Sequence, residues 1–226
     1  MVKFENVTKS FGTITALDRV SFKIEKGEFV FVIGPSGAGK STLIKLILKE
    51  YLPTEGTIQV DEVNLNEIPK KKIAEYRQKI GVVFQDFKLL GDGTVFENVA
   101  LALRVLGKKP DEIEKKVATI LDLVGLKDRA PFFPSQLSGG ELQRVCLARA
   151  VVAEPDIILA DEPTGNLDLG TGREIVELLK KINSTGKTVI MATHNFEIVN
   201  LLSQRVIELD KGKVISDQKK GKYHLK

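Results

Sequence analysis

Nine consecutive residues have the types and spacing of a loop that holds nucleotide phosphates. They follow an apolar run at 29–33 and precede a stretch with helical periodicity, which is the setting that such a loop requires. Glycines let the backbone wrap the phosphates, Lys40 can neutralise their charge, and Ser41 can ligate Mg²⁺. The segment therefore predicts nucleotide binding. Its residues are Gly34, Pro35, Ser36, Gly37, Ala38, Gly39, Lys40, Ser41 and Thr42.

Two carboxylates come directly after a second apolar run, at 157–160. At the carboxyl end of a buried parallel strand, Asp161 and Glu162 would lie where open α/β sheets bind ligands. We expect Asp161 to hold the Mg²⁺ shell and Glu162 to contact the attacking water. Alone, these acids would be typical of a solvated strand end; beside a phosphate loop they indicate hydrolysis.

A third segment, 137–141, offers a second place for a phosphate. It puts the hydroxyl of Ser138 and the unhindered amides of Gly139 and Gly140 just before a long helical pattern. One nucleotide needs one phosphate cradle. A second anion-binding helix start therefore suggests that each nucleotide is held between two copies of the chain.

The elements that must position these residues alternate along the chain. Strand patterns fill the N-terminal quarter, and from residue 140 onward strands alternate with helices, which favours a parallel sheet covered on both faces. Two amphipathic helices are expected at 94–106 and 110–123, with no strand between them. We expect one domain over residues 1–226, with a helical subdomain inserted at about 86–136 of an α/β core.

Composition argues against several classes of protein. The chain of 226 residues has a net charge of +4, which is too small to indicate a nucleic-acid-binding protein. No apolar run is long enough to cross a membrane. The single cysteine, Cys146, lies in a helical apolar pattern, so we expect a buried thiol in a reducing, cytoplasmic compartment.

Lysines are concentrated near the C-terminus. A solvated tail is the favoured interpretation, and attraction to anionic lipid headgroups is the alternative. These residues are Lys211, Lys213, Lys219, Lys220, Lys222 and Lys226.

Taken together, these motifs resemble those of the ATP-binding-cassette (ABC) ATPases, from the first predicted strand to the last. The resemblance implies a P-loop NTPase fold with a mostly parallel core sheet, an N-terminal antiparallel β subdomain and an inserted helical subdomain. It also implies ATP and Mg²⁺ as ligands, and a homodimer that forms when ATP binds. An isolated monomer is then expected to be nearly inactive.

The resemblance assigns further residues to catalysis. Gln85 matches the Q-loop glutamine that senses Mg²⁺ and the attacking water, and His194 matches the switch histidine on the γ-phosphate. With Glu162, they would form the catalytic set. Phe11 stands at the A-loop, where an aromatic ring stacks on adenine; packing of Phe11 in the core is the alternative.

Other residues would act across the dimer interface. By resemblance, the signature sequence contacts the γ-phosphate of ATP held by the other subunit, and Asp168 of the D-loop crosses the interface. These residues are Ser138, Gly139, Gly140, Glu141 and Asp168.

The region after Gln85 resembles the groove that receives a helix from a membrane subunit. Phe87 and Leu89 are the expected exposed contacts, whereas Val95 and Val99 are assigned to the local core. Because the chain has no membrane helix, a separate integral membrane partner is implied. This partner would hold the chain at the cytoplasmic face of the membrane.

Within the family, segments 84–90 and 159–168 look most like the ATPases of bacterial cell division, whose turnover activates peptidoglycan hydrolases outside the membrane. Lipoprotein-releasing and macrolide-export ATPases share segment 159–168 and are the alternative. Soluble cassettes acting on nucleic acid or ribosomes usually carry a coiled coil or a second cassette, so no nucleic acid is expected. A nucleotide-gated module without turnover is disfavoured by Glu162 and His194.

Overall fold

The computed structural model describes residues 1–219, in which the strands form two sheets. The smaller sheet is antiparallel, in the order β2-β1-β4-β5. Its strands are β1 (Val2–Phe11), β2 (Ile14–Ile24), β4 (Glu55–Val60) and β5 (Val63–Asn64). This sheet agrees with the antiparallel N-terminal subdomain that the resemblance implies.

The larger sheet has six strands in the order β10-β9-β3-β8-β7-β6. All of its neighbouring pairs are parallel except β9 with β10. Its strands are β3 (Phe29–Ile33), β6 (Ile80–Phe84), β7 (Ile157–Asp161), β8 (Thr188–Thr193), β9 (Arg205–Asp210) and β10 (Lys213–Gln218). The mostly parallel core sheet is confirmed.

Seven α-helices accompany the sheets in the described part of the chain. They are α1 (Lys40–Ile47), α2 (Ile73–Arg77), α3 (Val95–Val105), α4 (Pro110–Leu123), α5 (Gly139–Val151), α6 (Leu169–Asn183) and α7 (Phe196–Leu202). Short 3₁₀ turns lie at Leu65–Glu67, Lys70–Lys72, Lys127–Arg129 and Pro134–Gln136. None of the helices within residues 1–219 is long and apolar enough to cross a membrane.

The two faces of the core sheet bury separate apolar clusters. Every residue of β3 is buried, and its alternate side chains enter the two clusters, as expected for a strand covered on both sides. Cys146 of α5 lies in one cluster and is fully buried, and burial raises the pKa of its thiol to about 12. The predicted buried thiol is confirmed.

Helices α3 and α4 pack against α5 around a third cluster, which includes Val95 and Val99. Both valines are fully buried, as predicted. Helix α3 begins at a capping box in which Thr94 and Glu97 satisfy each other's backbone amides. The subdomain boundary of about 86–136 stays a prediction.

Strands β1 and β2 and helix α2 differ from the predicted elements. Strands β1 and β2 extend to a tight turn between Phe11 and Ile14, past the apolar positions that indicated strands in the N-terminal quarter. Helix α2 was not predicted. Of the C-terminal lysines, Lys220, Lys222 and Lys226 lie outside the described residues.

Candidate functional site

Four neighbouring parallel strands bring the predicted catalytic residues to one edge of the core sheet. Strands β3, β8, β7 and β6 are neighbours in the sheet and end at the same edge. The phosphate loop follows β3, His194 follows β8, Glu162 follows β7 and Gln85 follows β6. The phosphate loop, Gln85, Glu162 and His194 line a cavity of about 620 Å³. Its walls are Ala16, Pro35, Ser36, Gly37, Gly39, Lys40, Ser41, Thr42, Gln85, Glu162 and His194.

The phosphate loop depends on two close backbone approaches. Gly34 has a φ of 149°, and a Cβ there would lie 2.2 Å from the Leu209 carbonyl oxygen. Gly39, at a φ of 106°, would meet the Ala16 carbonyl oxygen at 2.6 Å. Glycine is therefore required at both positions by space as well as by conformation.

Lys40 is held inside the loop, with 7% of its surface exposed. Its ammonium donates hydrogen bonds to the carbonyl oxygens of Gly34 (2.9 Å) and Pro35 (3.2 Å) and lies 3.4 Å from Glu162 Oε1. The Lys40 charge therefore lies at the cavity that the phosphate loop lines. A bound phosphate would give the Lys40 ammonium a charged partner, which accepts stronger hydrogen bonds than the two neutral carbonyl oxygens do.

Glu162 and His194 form a pair that lines the same cavity. Glu162 Oε1 lies 2.9 Å from His194 Nδ1, and the His194 amide donates to Glu162 Oε2 at 3.3 Å. Glu162 has a left-handed φ of 47°, a conformation that a non-glycine residue holds at an energetic cost. The neighbouring peptide bond is fixed because the Glu162 amide donates to the Ala192 carbonyl.

Asp161 faces the first turn of α1. Ser41 Oγ donates a hydrogen bond to Asp161 Oδ1 at 3.1 Å. Burial raises the pKa of the Asp161 carboxyl, and the Ser41 bond only partly offsets this effect. A nearby cation would favour the ionised form, and carboxylate and hydroxyl oxygens are the ligands that Mg²⁺ prefers.

Gln85 is tied to the loop that follows Glu162. Its side-chain amide lies 3.4 Å from Asn166 Oδ1, and Asn166 donates back to the Gln85 carbonyl oxygen at 3.2 Å. A Cβ at Gly165 would come within 2.9 Å of Gln85 Nε2. The contact between Gln85 and Asn166 joins residues 81 positions apart, so the sequence analysis did not predict it.

The signature residues do not line the phosphate cavity of their own chain. Ser138 is exposed and caps α5: its hydroxyl accepts from the Glu141 amide (3.3 Å) and donates to Glu141 Oε2 (2.9 Å). Arg129 holds the other carboxylate oxygen at 2.8 Å. The Arg129 bond, and the Ser138 bonds after it, lower the pKa of Glu141 to about 2.

The D-loop lies beside the signature sequence. Asp168 caps α6 by accepting from the amide and the hydroxyl of Thr171, at 3.0 and 2.6 Å, and these bonds lower its pKa. A Cβ at Gly140 would lie 2.5 Å from Thr171 Cγ2, and one at Gly139 would lie 3.6 Å from Leu167 Cδ2. The residues expected to act across a dimer interface therefore cluster together, away from the cavity.

Phe11 is 42% exposed at the end of β1, so the alternative that it packs in the core is wrong. Its ring meets the edge of Tyr51 at a centroid separation of 5.0 Å, and the Lys9 ammonium lies 4.8 Å from its centre. Phe11 is not among the residues that line the phosphate cavity. Its contact with adenine stays a prediction.

The expectation that Phe87 and Leu89 are exposed is wrong. Both are half-buried and pack against the apolar core. The exposed apolar side chains of this region are instead Leu90, Leu101 and Val105. The last two line a groove of about 490 Å³ whose other walls include Arg77, Phe84, Lys88 and Arg149.

The sheet, the phosphate loop and the acids at the end of β7 define an ABC ATPase. The profile of the ABC transporter family matches residues 17–165, and the chain belongs to this family. It binds ATP and hydrolyses it to ADP and phosphate.

Two similar proteins of this family are ATP-binding proteins of cell division. The chain is 52% identical to the Cell division ATP-binding protein FtsE of Bacillus subtilis (strain 168), over 99% of this chain and 98% of that protein. It is 49% identical to the FtsE protein of Mycobacterium tuberculosis (strain ATCC 25618 / H37Rv), over 100% and 99%.

Among solved structures, the dimeric bacterial ABC transporter cassette MJ0796 is 40% identical, with a TM-score of 0.89 over 99% of this chain and 100% of that chain. A post-hydrolysis dimer of MJ0796 bound to ADP and Pi matches with a TM-score of 0.88.

Proposed function

We propose that this chain is the ATP-hydrolysing, nucleotide-binding subunit of a membrane complex of bacterial cell division. The observation that carries the proposal is the 52% identity to a cell-division ATP-binding protein over 99% of the chain. The intact set of Lys40, Glu162 and His194 around one cavity supports turnover rather than simple nucleotide binding. An exporter subunit is the less favoured alternative.

In the proposed mechanism, the loop from Gly34 to Thr42 wraps the phosphates and Lys40 neutralises the β- and γ-phosphates. Glu162 orients the attacking water, and His194 reports on the γ-phosphate through its contact with Glu162. Gln85 lies at the same cavity wall and contacts the water. Phosphoryl transfer is then mainly positioning and charge stabilisation.

The residues near Asp161 fit a Mg²⁺ ion. Ser41 Oγ and Asp161 Oδ1 are 3.1 Å apart, and Gln85 lines the same cavity. Burial raises the pKa of the Asp161 carboxyl, so a bound cation would offset the cost of ionising it. We propose that Ser41 and Gln85 bind the ion directly and that Asp161 binds it through water. When bound, Mg²⁺ supplies positive charge against the phosphate oxygens.

We also propose that the site is completed by a second copy of the chain. The exposed residues Ser138 and Gly139, which cluster with Asp168 outside the cavity of their own chain, support contacts to ATP in the partner. The similar MJ0796 cassettes are dimeric. In a two-fold dimer, the signature of each chain would face the phosphate loop of the other.

A mixing experiment tests this arrangement. Ser138→Arg blocks the signature and Lys40→Ala disables the phosphate loop, so each variant alone is expected to be inactive. In a mixed dimer one composite site is intact, and random pairing restores at most about a quarter of the sites. Recovery of ATP turnover on mixing supports the proposal. Loss of ATP binding by the Ser138→Arg monomer would place Ser138 in its own chain's site instead.

An integral membrane subunit of the FtsX type is the proposed partner, and it would hold the chain at the inner face of the cell membrane. The groove lined by Leu101 and Val105 supports this docking site, because monomers rarely leave such apolar grooves open. Leu101→Glu with Val105→Glu is expected to abolish copurification of the partner. Ile215→Glu, which changes an exposed apolar residue elsewhere, is the matched control.

Depletion of the chain distinguishes cell division from export. The cell-division proposal predicts filamentous cells and copurification of a membrane protein with a large extracytoplasmic domain. Normal septation with loss of an exported lipoprotein or macrolide would favour the exporter alternative. Copurified nucleic acid whose binding falls steeply with salt would contradict both.

A further inference from the structure

Three side chains of α5 hold the segment 84–88, which carries Gln85. Gln143, Cys146 and Arg149 are spaced three residues apart, so they lie along one face of the helix. Gln143 Nε2 donates to the Phe84 carbonyl at 3.4 Å, and Cys146 Sγ donates to the Phe87 carbonyl at 3.1 Å. We call these three residues the α5 clamp.

Arg149 makes the strongest contacts of the α5 clamp. Its Nη1 donates to the Lys88 carbonyl at 2.6 Å and its Nη2 to the Phe87 carbonyl at 2.9 Å. Within residues 1–219, Arg149 forms no ion pair, so these two carbonyls are the partners of its half-buried guanidinium. The two carbonyl oxygens offset part of the cost of taking this charge out of water, and they tie the guanidinium to the backbone of residues 87–88.

The clamped backbone is strained. Phe87 and Lys88 have left-handed φ values of 57° and 49°, which non-glycine residues rarely adopt in succession. Such a turn persists only where its surroundings hold it, and Arg149 binds the carbonyl oxygen of both strained residues. Without Arg149 the turn is free to relax toward ordinary φ values.

The strained turn lies two residues after Gln85. On its other side, Gln85 is tied to Asn166, so the α5 clamp and the D-loop together fix the position of the glutamine at the cavity. Helix α5 itself begins at the cap formed by Ser138. A single rigid helix therefore connects the signature residue with the turn that positions Gln85.

We propose that Arg149 is a positioning residue which, by clamping the Phe87–Lys88 turn to α5, fixes Gln85 for ATP hydrolysis and makes it move together with Ser138. The inference rests on the proposed role of Gln85. Arg149 also lines the groove of Leu101 and Val105, so a partner docked there would contact the α5 clamp directly.

The first experiment measures hydrogen exchange of the amides of residues 85–90 in the full chain without nucleotide. Arg149→Met is expected to raise their exchange rates about tenfold or more. Arg144→Met is the matched control, because Arg144 lies on the same helix but pairs with Glu174 at 2.8 Å. Equal exchange in the wild type and Arg149→Met would overturn the proposal.

The second experiment separates turnover from binding. Arg149→Met is expected to lower turnover at saturating Mg-ATP about tenfold or more, with the Kd for ATP changed less than about twofold. Adding Lys88→Asn should restore part of the turnover, because asparagine adopts the left-handed conformation at lower cost. A purely structural role for Arg149 predicts no such rescue.

Gln85→Ala distinguishes failure of the proposal from failure of the proposed function. If Gln85→Ala is slow but Arg149→Met turns over normally, the α5 clamp does not position the glutamine. If Gln85→Ala turns over normally, the role given to Gln85 is wrong. Slow turnover of Arg149→Met in that case would show that Arg149 does not act through Gln85. Equal loss in Arg144→Met would overturn the specificity of the clamp.

Discussion

Replacing Ser138 with alanine separates a structural role of the signature from a catalytic one, because the chain contains a matched control. Ser138 caps α5 and Thr94 caps α3, each in a complete capping box with the glutamate three residues later. The hydroxyl-to-carboxylate distances are 2.9 Å for Ser138 and 3.1 Å for Thr94. The two substitutions therefore remove nearly the same local structure.

The expected loss of stability is the same for both variants. Removing an N-cap hydroxyl costs about 1 kcal/mol, within a range of about 0.5–2 kcal/mol. For a chain of this size, that lowers Tm by about 2–4 °C. Each glutamate still accepts a bond from the backbone amide of the capping residue, at 2.9 Å for Glu141 and 2.8 Å for Glu97.

The expected loss of turnover is different. If Ser138 donates to the γ-phosphate of ATP in the partner, its hydroxyl forms a hydrogen bond to a charged group, which is worth about 1.5–3 kcal/mol. That corresponds to a turnover rate about tenfold to a hundredfold lower for Ser138→Ala. Thr94→Ala removes no such bond, so its turnover should stay near the wild-type value.

Thermal unfolding followed by circular dichroism measures the first effect, and phosphate release at saturating Mg-ATP, well below Tm, measures the second. Equal turnover in the two variants would refute the catalytic role of Ser138. A much larger fall in Tm for Ser138→Ala than for Thr94→Ala would show that the turnover loss comes from unfolding of α5.

Three further predictions concern Glu162, Asn98 and Glu141. Glu162→Gln should trap an ATP-bound dimer, visible by size-exclusion chromatography in saturating Mg-ATP. Asn98→Ala should lower the free energy of unfolding by about 2–4 kcal/mol in urea titrations, because this fully buried amide makes four hydrogen bonds that hold the 90–94 loop. Glu141→Gln should flatten the pH dependence of Tm. The lowered pKa of Glu141 stabilises the folded state above about pH 4.5, and this contribution is lost as the pH falls through about 2.

Each of these predictions has a result that contradicts it. A Glu162→Gln chain that elutes as a monomer in saturating Mg-ATP would contradict the trapped dimer. An Asn98→Ala chain as stable as the wild type would mean that water replaces the lost amide. Parallel Tm profiles of wild type and Glu141→Gln below about pH 4.5 would show that the Arg129 pair exerts little effect in the folded state.

The fold was predictable where periodicity was strong, and it was missed where periodicity was broken. The buried run Phe29–Ile33 and the regular alternation of strands with helices after residue 140 were clear signals of the core sheet. Strand β1 contains register shifts after Phe4 and Val7, and none of the residues from Thr8 to Phe11 is fully buried, so its second half carries no alternating pattern. Helix α2 is too short and too exposed to show a helical period.

The site was predictable where its chemistry is local in sequence. The phosphate loop and the two acids after β7 each lie within a few residues, and the ends of parallel strands must meet at one edge. The α5 clamp was not predictable, because Arg149 reaches a segment about 60 residues earlier through backbone carbonyls, which carry no sequence signal. The close approach of the Ala16 carbonyl oxygen to Gly39 was also not predictable, because it too is a backbone contact without a sequence signal.

Gly140 and Arg129 shape the N-terminus of α5, where the proposed dimer would bring the phosphate of ATP held by the partner chain. A side chain at Gly140 would collide with Thr171, so this glycine brings the N-terminus of α5 against that of α6. Two positive helix ends then lie side by side. The Glu141 carboxylate already lies at the N-terminus of α5, and Arg129 pairs with it. The backbone amide of Ser138 also donates to Glu141 Oε2, so this oxygen keeps a partner when the Ser138 hydroxyl turns away. The Ser138 hydroxyl can therefore turn to a phosphate oxygen without leaving Glu141 unpaired, as the proposed contact with ATP in a partner chain would require.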